Sequence, residues 1–185
     1  GSEKTSLGLF KNLAIVHSAT LPIGVKHVTK DISKICSLNM QESEIISRKI
    51  DFSFQNNEEL FDKNGYLKEK CFNDSSYRKI SESLILDIVK ARIDEIFQII
   101  KKQIIEAGFN PALGANLFIT GGGSNFFNID KYCSNFFGSD VKKLDKKNNN
   151  ENQNQPDPNF TSCLGALEII KDGWETEAIP KQANK

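Results

Sequence analysis

The 185-residue sequence has no long apolar run, no closely spaced cysteines and no excess of charge of either sign. No stretch approaches the roughly 18 to 20 apolar residues that a membrane-spanning helix needs. The four cysteines form no C-x-x-C pair, which excludes zinc ribbons and dithiol redox motifs. With 24 basic and 24 acidic side chains, the chain has no overall field that would attract nucleic acid. We therefore expect neither a structural metal nor a nucleic-acid partner.

Alternating and helical apolar patterns predict an α/β arrangement in the N-terminal part. The runs 6–10 and 13–21 are joined by a polar pair of the kind that closes hairpins, so they predict two antiparallel strands. Apolar residues spaced by three and four then predict a helix that ends near Cys36 and a second helix over 41–49. Residues 51–78 carry scattered aromatic side chains without a sustained period, so short strands and turns are expected there.

The clearest helical pattern lies in 81–107, where apolar positions keep a helical period and charges of alternating sign occupy the other faces. Ser81 can cap this helix and Gly108 can end it. Residues 116–120 predict a buried strand that runs directly into the glycines 121–123. The sequence therefore predicts a strand followed by a glycine loop.

Several further segments complete the prediction. A helix is expected to start directly after the glycines and to end near Phe136, and residues 141–144 are expected to form one more strand. Residues 145–159 are rich in Asn, Gln and Pro and cannot bury a core, so a disordered loop is expected. An apolar helix over 161–171 and a frayed tail over 174–185 follow.

The three adjacent glycines are the first candidate site. Glycines after a strand let the backbone approach a phosphate or a nucleoside closely, and a helix that follows points its amides at the ligand. A tight strand-to-helix turn without any ligand explains the triplet equally well. Neither G-x-x-x-x-G-K-[ST] nor G-x-G-x-x-G occurs, so the common phosphate loops are excluded.

A basic cluster near the start of the long helix is the second candidate. It consists of Arg78, Lys79, Lys90 and Arg92. Such a cluster is usually a solvated face, but an acidic peptide tail also needs one in its receptor. The residues by themselves leave both interpretations open.

Three segments together resemble the FtsA family of bacterial cell-division proteins, which belongs to the actin and heat-shock-chaperone ATPase superfamily. Residues 1–10, with the strand and helix that follow to Ile32, are similar to the family's phosphate-2 hairpin. Residues 117–123 resemble its adenosine motif, and residues 162–167 resemble the start of its closing helix. The order and separations agree, so the resemblance covers nearly the whole chain.

The resemblance implies the C-terminal half of an actin-like ATPase fold: subdomain 2A, a mixed sheet with helices, and the smaller α+β subdomain 2B. Residues 1–36 are then the first part of subdomain 2A, with the phosphate-2 hairpin and its helix, and residues 37–108 are subdomain 2B. Residues 109–173 are the second part of subdomain 2A, with the adenosine motif and closing helix, and include the loop 145–159. Residues 174–185 form the tail.

The same resemblance implies an ATP site, with Mg, in the full-length protein. Two departures affect it. Glu3 would place a carboxylate near the triphosphate, and Ser47 stands where the family commonly has a lysine, next to Arg48. The nucleotide-binding residues implied by the match are Gly1, Lys4, Thr5, Gly24, Glu44, Arg48, Gly121, Gly122 and Gly123. The match implies no catalytic and no metal-binding residue.

The partner implied by the family is the C-terminal tail of FtsZ, which subdomain 2B receives. Arg92 aligns with the arginine of that site and is expected to be its main electrostatic anchor. The residues expected to accompany Arg92, through local charge or four-residue spacing, are Lys79, Lys90, Glu95, Ile88 and Ile96. In this arrangement the charged anchor lies between two apolar contacts, as a short amphipathic peptide requires.

Membership of this family would also imply self-association of the full protein through actin-like protofilaments. It would place the protein in the cytoplasm, at the inner face of the cell membrane at the division site, with membrane contact only through a segment not evident here. At most weak ATPase activity is expected of the full-length form, and none of this chain alone. The alternative is half of another nucleotide-binding protein of the superfamily, such as PilM or a sugar kinase; the segment 22–32 favours the FtsA family.

Overall fold

The computed structural model describes residues 1–12, 14–53, 57–110, 116–144 and 161–171. A strand pair, a group of helices and a second strand pair with its helix follow one another along the chain. In order, the elements are β1 (Thr5–Lys11), β2 (Ala14–Leu21), α1 (Lys26–Cys36), α2 (Met40–Lys49), a 3-10 helix (Glu69–Cys71), α3 (Glu82–Glu106), β3 (Leu117–Ile119), a second 3-10 helix (Gly122–Asn125), α4 (Ile129–Phe137), β4 (Val141–Lys143) and α5 (Thr161–Lys171).

The pairing of β1 with β2 confirms the N-terminal hairpin. The two strands are antiparallel, with Thr5 opposite Leu21, and the register shifts after Leu9. Leu7 and Leu9 pack against the core, whereas the intervening Gly8 is exposed. This alternation is what a strand with one covered face requires.

The second sheet is the parallel pair of β3 and β4, with Leu117 opposite Val141 and Ile119 opposite Lys143. Within the described residues it is separate from the hairpin, so the α/β fold contains one antiparallel and one parallel pair. Phe118 is 55% exposed. The expectation of a buried strand is therefore wrong in this respect, since only one face of β3 is partly covered.

Helices α1 and α2 are confirmed. Helix α1 buries Val28 and Ile32 on one stripe and ends where Ser37 takes a left-handed φ of 48°. Helix α2 begins with a capping box, in which the Asn39 side chain accepts from the backbone N–H of Glu42 and the Glu42 carboxylate accepts from the backbone N–H of Asn39. This reciprocal cap fixes the start of α2.

Helix α3 is confirmed with both of its predicted ends. The Ser81 hydroxyl accepts from the backbone N–H of Leu84 at 3.3 Å, and Gly108 follows the helix with a φ of 83°. The buried residues of α3 are Ile85, Ile88, Val89, Ile93, Ile96, Phe97 and Ile104. They cover a wide arc because α1 and α4 both pack against this helix.

Two other predictions need correction. In the described part of 51–78, the predicted turns are present, but the predicted strands are reduced to isolated bridges such as Phe61 with Leu67. The apolar residues of this segment do not alternate with polar ones, so its described part forms no longer strand. Helix α4 begins at Ile129 and not directly after the glycines, since Asn128 takes a left-handed φ of 56°. Helix α5 and strand β4 are confirmed, whereas the predicted loop 145–159 and tail 174–185 lie outside the described residues.

Within the described residues, one hydrophobic core joins helices α1 to α4. It contains Val28 and Ile32 from α1, Ile46 from α2, Ile85 from α3 and Cys133 from α4. The core therefore contains residues on both sides of residue 36, where the boundary between subdomains 2A and 2B is predicted. The limits of the subdomains stay a prediction. No helix in the described part of the chain is long and apolar enough to cross a membrane.

Candidate functional site

A cavity of about 710 Å³ opens where three separate parts of the structure meet. The segments are the N-terminal residues with the start of α1, the exposed side of α2, and the glycine loop after β3. The lining residues are Ser2, Val25, Lys26, Thr29, Met40, Glu44, Ser47, Arg48, Gly122, Asn125, Phe126 and Phe127.

Backbone hydrogen bonds hold the N-terminal residues against the start of α1. The N–H of Val25 donates to the Gly1 carbonyl at 3.0 Å, and the N–H of Lys26 donates to the Ser2 carbonyl at 2.9 Å. Gly24 makes this approach possible, because a Cβ there would lie within about 2.5 Å of the Ser2 carbonyl oxygen. The Thr5 hydroxyl donates to the carbonyl of Ile23, the residue before Gly24, at 2.7 Å.

Helix α2 forms the second wall. Glu44 and Arg48 lie one turn apart, and Arg48 Nη2 is 2.5 Å from Glu44 Oε1. The hydroxyls of Ser47 and Thr29 are 3.2 Å apart, and both residues are buried. Thus an uncharged pair of hydroxyls lies at the position where the resembled family commonly has a lysine.

The glycine loop closes the third side. Gly121 has a φ of 81°, a conformation that L side chains rarely adopt. The hydroxyl and the backbone N–H of Ser124 both donate to the Gly121 carbonyl, at 2.7 and 2.9 Å. A Cβ at Gly123 would lie 3.0 Å from Val25 Cγ1, so the loop packs closely on the start of α1. Glycine is therefore needed at Gly121 for conformation and at Gly123 for close approach.

Charge at one end of the cavity comes from Lys26, whose Nζ lies 2.8 Å from Glu3 Oε1. Lys30 Nζ lies 3.8 Å from the other carboxylate oxygen. The hydrogen bond from Lys26, with the charges of Lys26 and Lys30, lowers the pKa of Glu3 below its usual value. The carboxylate that the sequence suggested would repel a triphosphate is therefore paired with two lysines.

The structure brings most of the predicted nucleotide-binding residues together. Glu44, Arg48 and Gly122 line the cavity. Five others, which support the lining residues or flank them, are Gly1, Thr5, Gly24, Gly121 and Gly123. Lys4 is exposed and does not line the cavity.

Sequence reasoning missed several lining residues. Val25 and Lys26 could have been found, since they directly follow Gly24 at the start of a predicted helix. Phe126 and Phe127 come soon after the glycines, where the sequence predicts a helix. They line the cavity because α4 begins only at Ile129. Within the described residues, no group of His, Cys, Asp and Glu could hold a metal ion, so we assign them no Mg²⁺ ligand.

A match to one protein family covers most of the chain. The family model for "Cell division protein FtsA" matches residues 1–165. The chain belongs to the FtsA family. It is 25% identical over 169 residues to the FtsA protein of Neisseria meningitidis serogroup B, an alignment that covers 90% of this chain and 40% of that protein. The chain spans less than half the length of the curated FtsA relatives it matches.

Solved structures show the same fold. MreB5 of Spiroplasma citri bound to ADP superposes with a TM-score of 0.61 at 18% identity, covering 92% of this chain and 51% of that one. The PilM–PilN type IV pilus biogenesis complex gives a TM-score of 0.59 at 19% identity, covering 92% and 44%. At these identities the likeness shows the fold alone, which is half of an actin-like ATPase. Family membership, and not fold, separates the chain from the PilM and sugar-kinase alternatives.

The residues around Arg92, which were predicted to bind the FtsZ tail, are arranged differently from the prediction. Arg92 Nε and Nη2 donate to the two carboxylate oxygens of Asp31 on α1, at 2.6 and 3.0 Å, and Nη1 donates to Glu95. Ile88 and Ile96 are only 8% and 4% exposed and belong to the core. The predicted apolar contacts on either side of Arg92 are therefore not accessible, because the helix buries that stripe.

Two of the other predicted partner residues remain on the surface. Lys79 and Lys90 are exposed, and the Lys79 ammonium lies 5.5 Å from the centre of the Tyr66 ring. The side chain of Arg92 is 25% exposed and that of Asp31 is 21% exposed. Arg92 thus links α3 to α1 while a quarter of its side-chain surface stays exposed.

Proposed function

We propose that this chain forms the part of an FtsA-type cell-division protein that binds the adenosine and phosphates of ATP in subdomains 2A and 2B. The observation that carries the proposal is the convergence of three separate segments on one cavity of about 710 Å³. This volume is within the range of about 300 to 1,000 Å³ typical of small-molecule sites. MreB5, which shares the fold, has been solved with ADP and with AMPPNP.

The lining residues suggest how the nucleotide is oriented. The glycine loop and α2 provide close backbone approach at Gly122 and a carboxylate at Glu44 that can accept from a ribose hydroxyl. The opposite end, at Ser2 and Lys26, provides positive charge for phosphates. We therefore place adenosine between α2 and the glycine loop and the phosphates toward the start of α1.

Binding of ATP tests the proposal directly. Titration of the ¹⁵N-labelled chain with ATP should give saturable shifts in the amides of residues 25–30 and 121–125. Gly122→Val, which adds a side chain to an exposed cavity position, should weaken binding at least tenfold. Gly165→Val is the matched control, because nothing lies within 4 Å of a Cβ at Gly165. Absence of saturable shifts in the unmodified chain, or equal affinities in all three proteins, would refute the nucleotide site.

In the full protein, we propose that this half receives the acidic and apolar C-terminal tail of FtsZ and helps to link the division ring to the inner face of the cell membrane. Self-association through actin-like protofilaments belongs to the same proposal. Family membership supports it, as do the exposed bases Lys79 and Lys90. Because Arg92 already holds Asp31 and Glu95, it can receive a peptide carboxylate only by exchanging one of these partners or through the exposed part of its side chain.

The role of Arg92 is tested with a labelled FtsZ tail peptide. Arg92→Glu should weaken peptide binding by about tenfold or more, the loss expected for one charge-assisted hydrogen bond. Asp31→Asn is the control, since it breaks the same ion pair and leaves the guanidinium in place. Retained or tighter binding in Asp31→Asn supports direct contact. Equal losses in both variants, or no binding by the unmodified chain, contradict it.

A further inference from the structure

Lys26 is a basic residue that lines the cavity, and the likeness to other proteins gives it no role. It lies in the first turn of α1 and lines the cavity beside Ser2. The other basic lining residue, Arg48, is 74% exposed and pairs with Glu44 at the α2 wall. Lys26 is therefore the cation positioned at the end of the cavity near Ser2.

The backbone at the start of α1 is already occupied. The N–H groups of Val25 and Lys26 donate to the carbonyls of Gly1 and Ser2, and the N–H of His27 donates to the Gly24 carbonyl. A helix start usually binds a phosphate through such free N–H groups. Because they are engaged here, a phosphate at this end must be held mainly by a side chain.

Glu3 has two possible partners for its carboxylate. Lys26 Nζ is 2.8 Å from one oxygen and Lys30 Nζ is 3.8 Å from the other. The two lysines are four residues apart, so they lie on the same side of α1. All three side chains are between 41% and 52% exposed. An exposed ion pair of this kind changes an equilibrium by a factor of about five or less, so Lys26 can leave Glu3 easily.

We propose that Lys26 exchanges Glu3 for a phosphate group of the bound nucleotide while Lys30 takes over the Glu3 carboxylate. Glu3 then competes with the phosphate for Lys26 and sets how strongly the site distinguishes phosphorylated from unphosphorylated ligands. This inference rests on the proposed nucleotide site and adds to it a residue that recognises phosphate and a residue that limits that recognition.

The test compares adenosine, ADP and ATP as ligands of the ¹⁵N-labelled chain. Lys26→Gln should weaken ADP and ATP binding by about tenfold, the loss of one charge-assisted hydrogen bond, and leave adenosine binding within about twofold. Glu3→Gln should tighten ADP and ATP binding by about two- to fivefold. Lys30→Gln is the matched control on the same face, and it should weaken ADP and ATP by no more than about twofold because it only removes the second partner of Glu3.

The outcomes separate this inference from the site itself. If adenosine and both nucleotides fail to bind the unmodified chain, the nucleotide site is wrong and this inference falls with it. If they bind but Lys26→Gln leaves ATP affinity unchanged, or weakens adenosine as much as ATP, the site stands and phosphate recognition by Lys26 is refuted. Weaker ATP binding in Glu3→Gln would refute competition by Glu3.

Discussion

Glu42 is a completely buried carboxylate that holds the loop 73–75 against the start of α2. One oxygen accepts from the backbone N–H groups of Asn73, Asp74 and Ser75, at 2.7, 2.9 and 2.9 Å. The other accepts from the backbone N–H of Asn39 at 2.9 Å and from the Ser75 hydroxyl at 2.5 Å. The next turn of α2 lines the cavity, so this carboxylate also supports the candidate site.

The contribution of Glu42 to the stability of the folded chain depends on pH, because only the ionised carboxylate accepts all of these hydrogen bonds. Burial by itself raises the pKa of the carboxyl, but the hydrogen bonds from Ser75, Asn39 and Asp74 outweigh burial and lower the pKa from 4.5 to about 2. The folded state therefore binds this proton less readily than the unfolded state. The stabilisation is fully present above about pH 4.5 and is lost as the pH falls toward 2.

Replacing Glu42 by Gln places an NH₂ group where one oxygen now accepts. At least one buried N–H then loses its acceptor, which costs about 1 to 3 kcal/mol, and the remaining hydrogen bonds lose their charge assistance. We expect Glu42→Gln to lower the free energy of unfolding by about 3 kcal/mol at pH 7. For a chain of this size that is a decrease in Tm of roughly 6 to 12 °C.

Urea unfolding of the unmodified chain and of Glu42→Gln, followed by circular dichroism at pH 7, 5 and 3, measures the difference in the free energy of unfolding. It should be largest at pH 7 and 5 and smaller at pH 3, because protonation removes the advantage of the carboxylate. Glu44→Gln, on the exposed side of the same helix, is the matched control and should change stability by less than about 0.5 kcal/mol. A difference below about 1 kcal/mol at pH 7, or one that does not shrink at pH 3, would refute the reasoning.

Three other predictions follow from the structure and the family. In a double-mutant cycle, Arg92→Ala and Asp31→Ala should show a coupling of about 1 to 2 kcal/mol, because the pair is partly buried and joined by two hydrogen bonds; additive effects would contradict it. Gly24→Ala should destabilise the chain by about 2 kcal/mol and increase hydrogen exchange at the Val25 amide, since a Cβ would press on the Ser2 carbonyl; unchanged exchange would contradict it. The chain alone should not hydrolyse ATP in a phosphate-release assay, because it forms only half of an actin-like fold and the groups of the other half are absent; turnover above a buffer blank in a contaminant-free sample would contradict it.

The features that the sequence predicted well are those set by neighbours a few residues apart. Helix α3 was identified with its Ser81 cap and Gly108 end, because both the apolar period and the capping contacts are local. The hairpin was found from two apolar runs and a polar turn. The glycine triplet with the family resemblance also identified Glu44, Arg48 and Gly122, which the structure places on the cavity.

Only the tertiary structure decided which faces are covered and which charges meet. Ile88 and Ile96 share a stripe with Arg92, but the sequence cannot show that α1 and α4 cover so wide an arc of α3. The partner of Arg92, Asp31, is 61 residues away in the chain, and only the packing of α1 on α3 brings the two together. The physical reason is that burial and ion pairing depend on contacts between distant segments, whereas helix periods and caps depend on the nearest few residues.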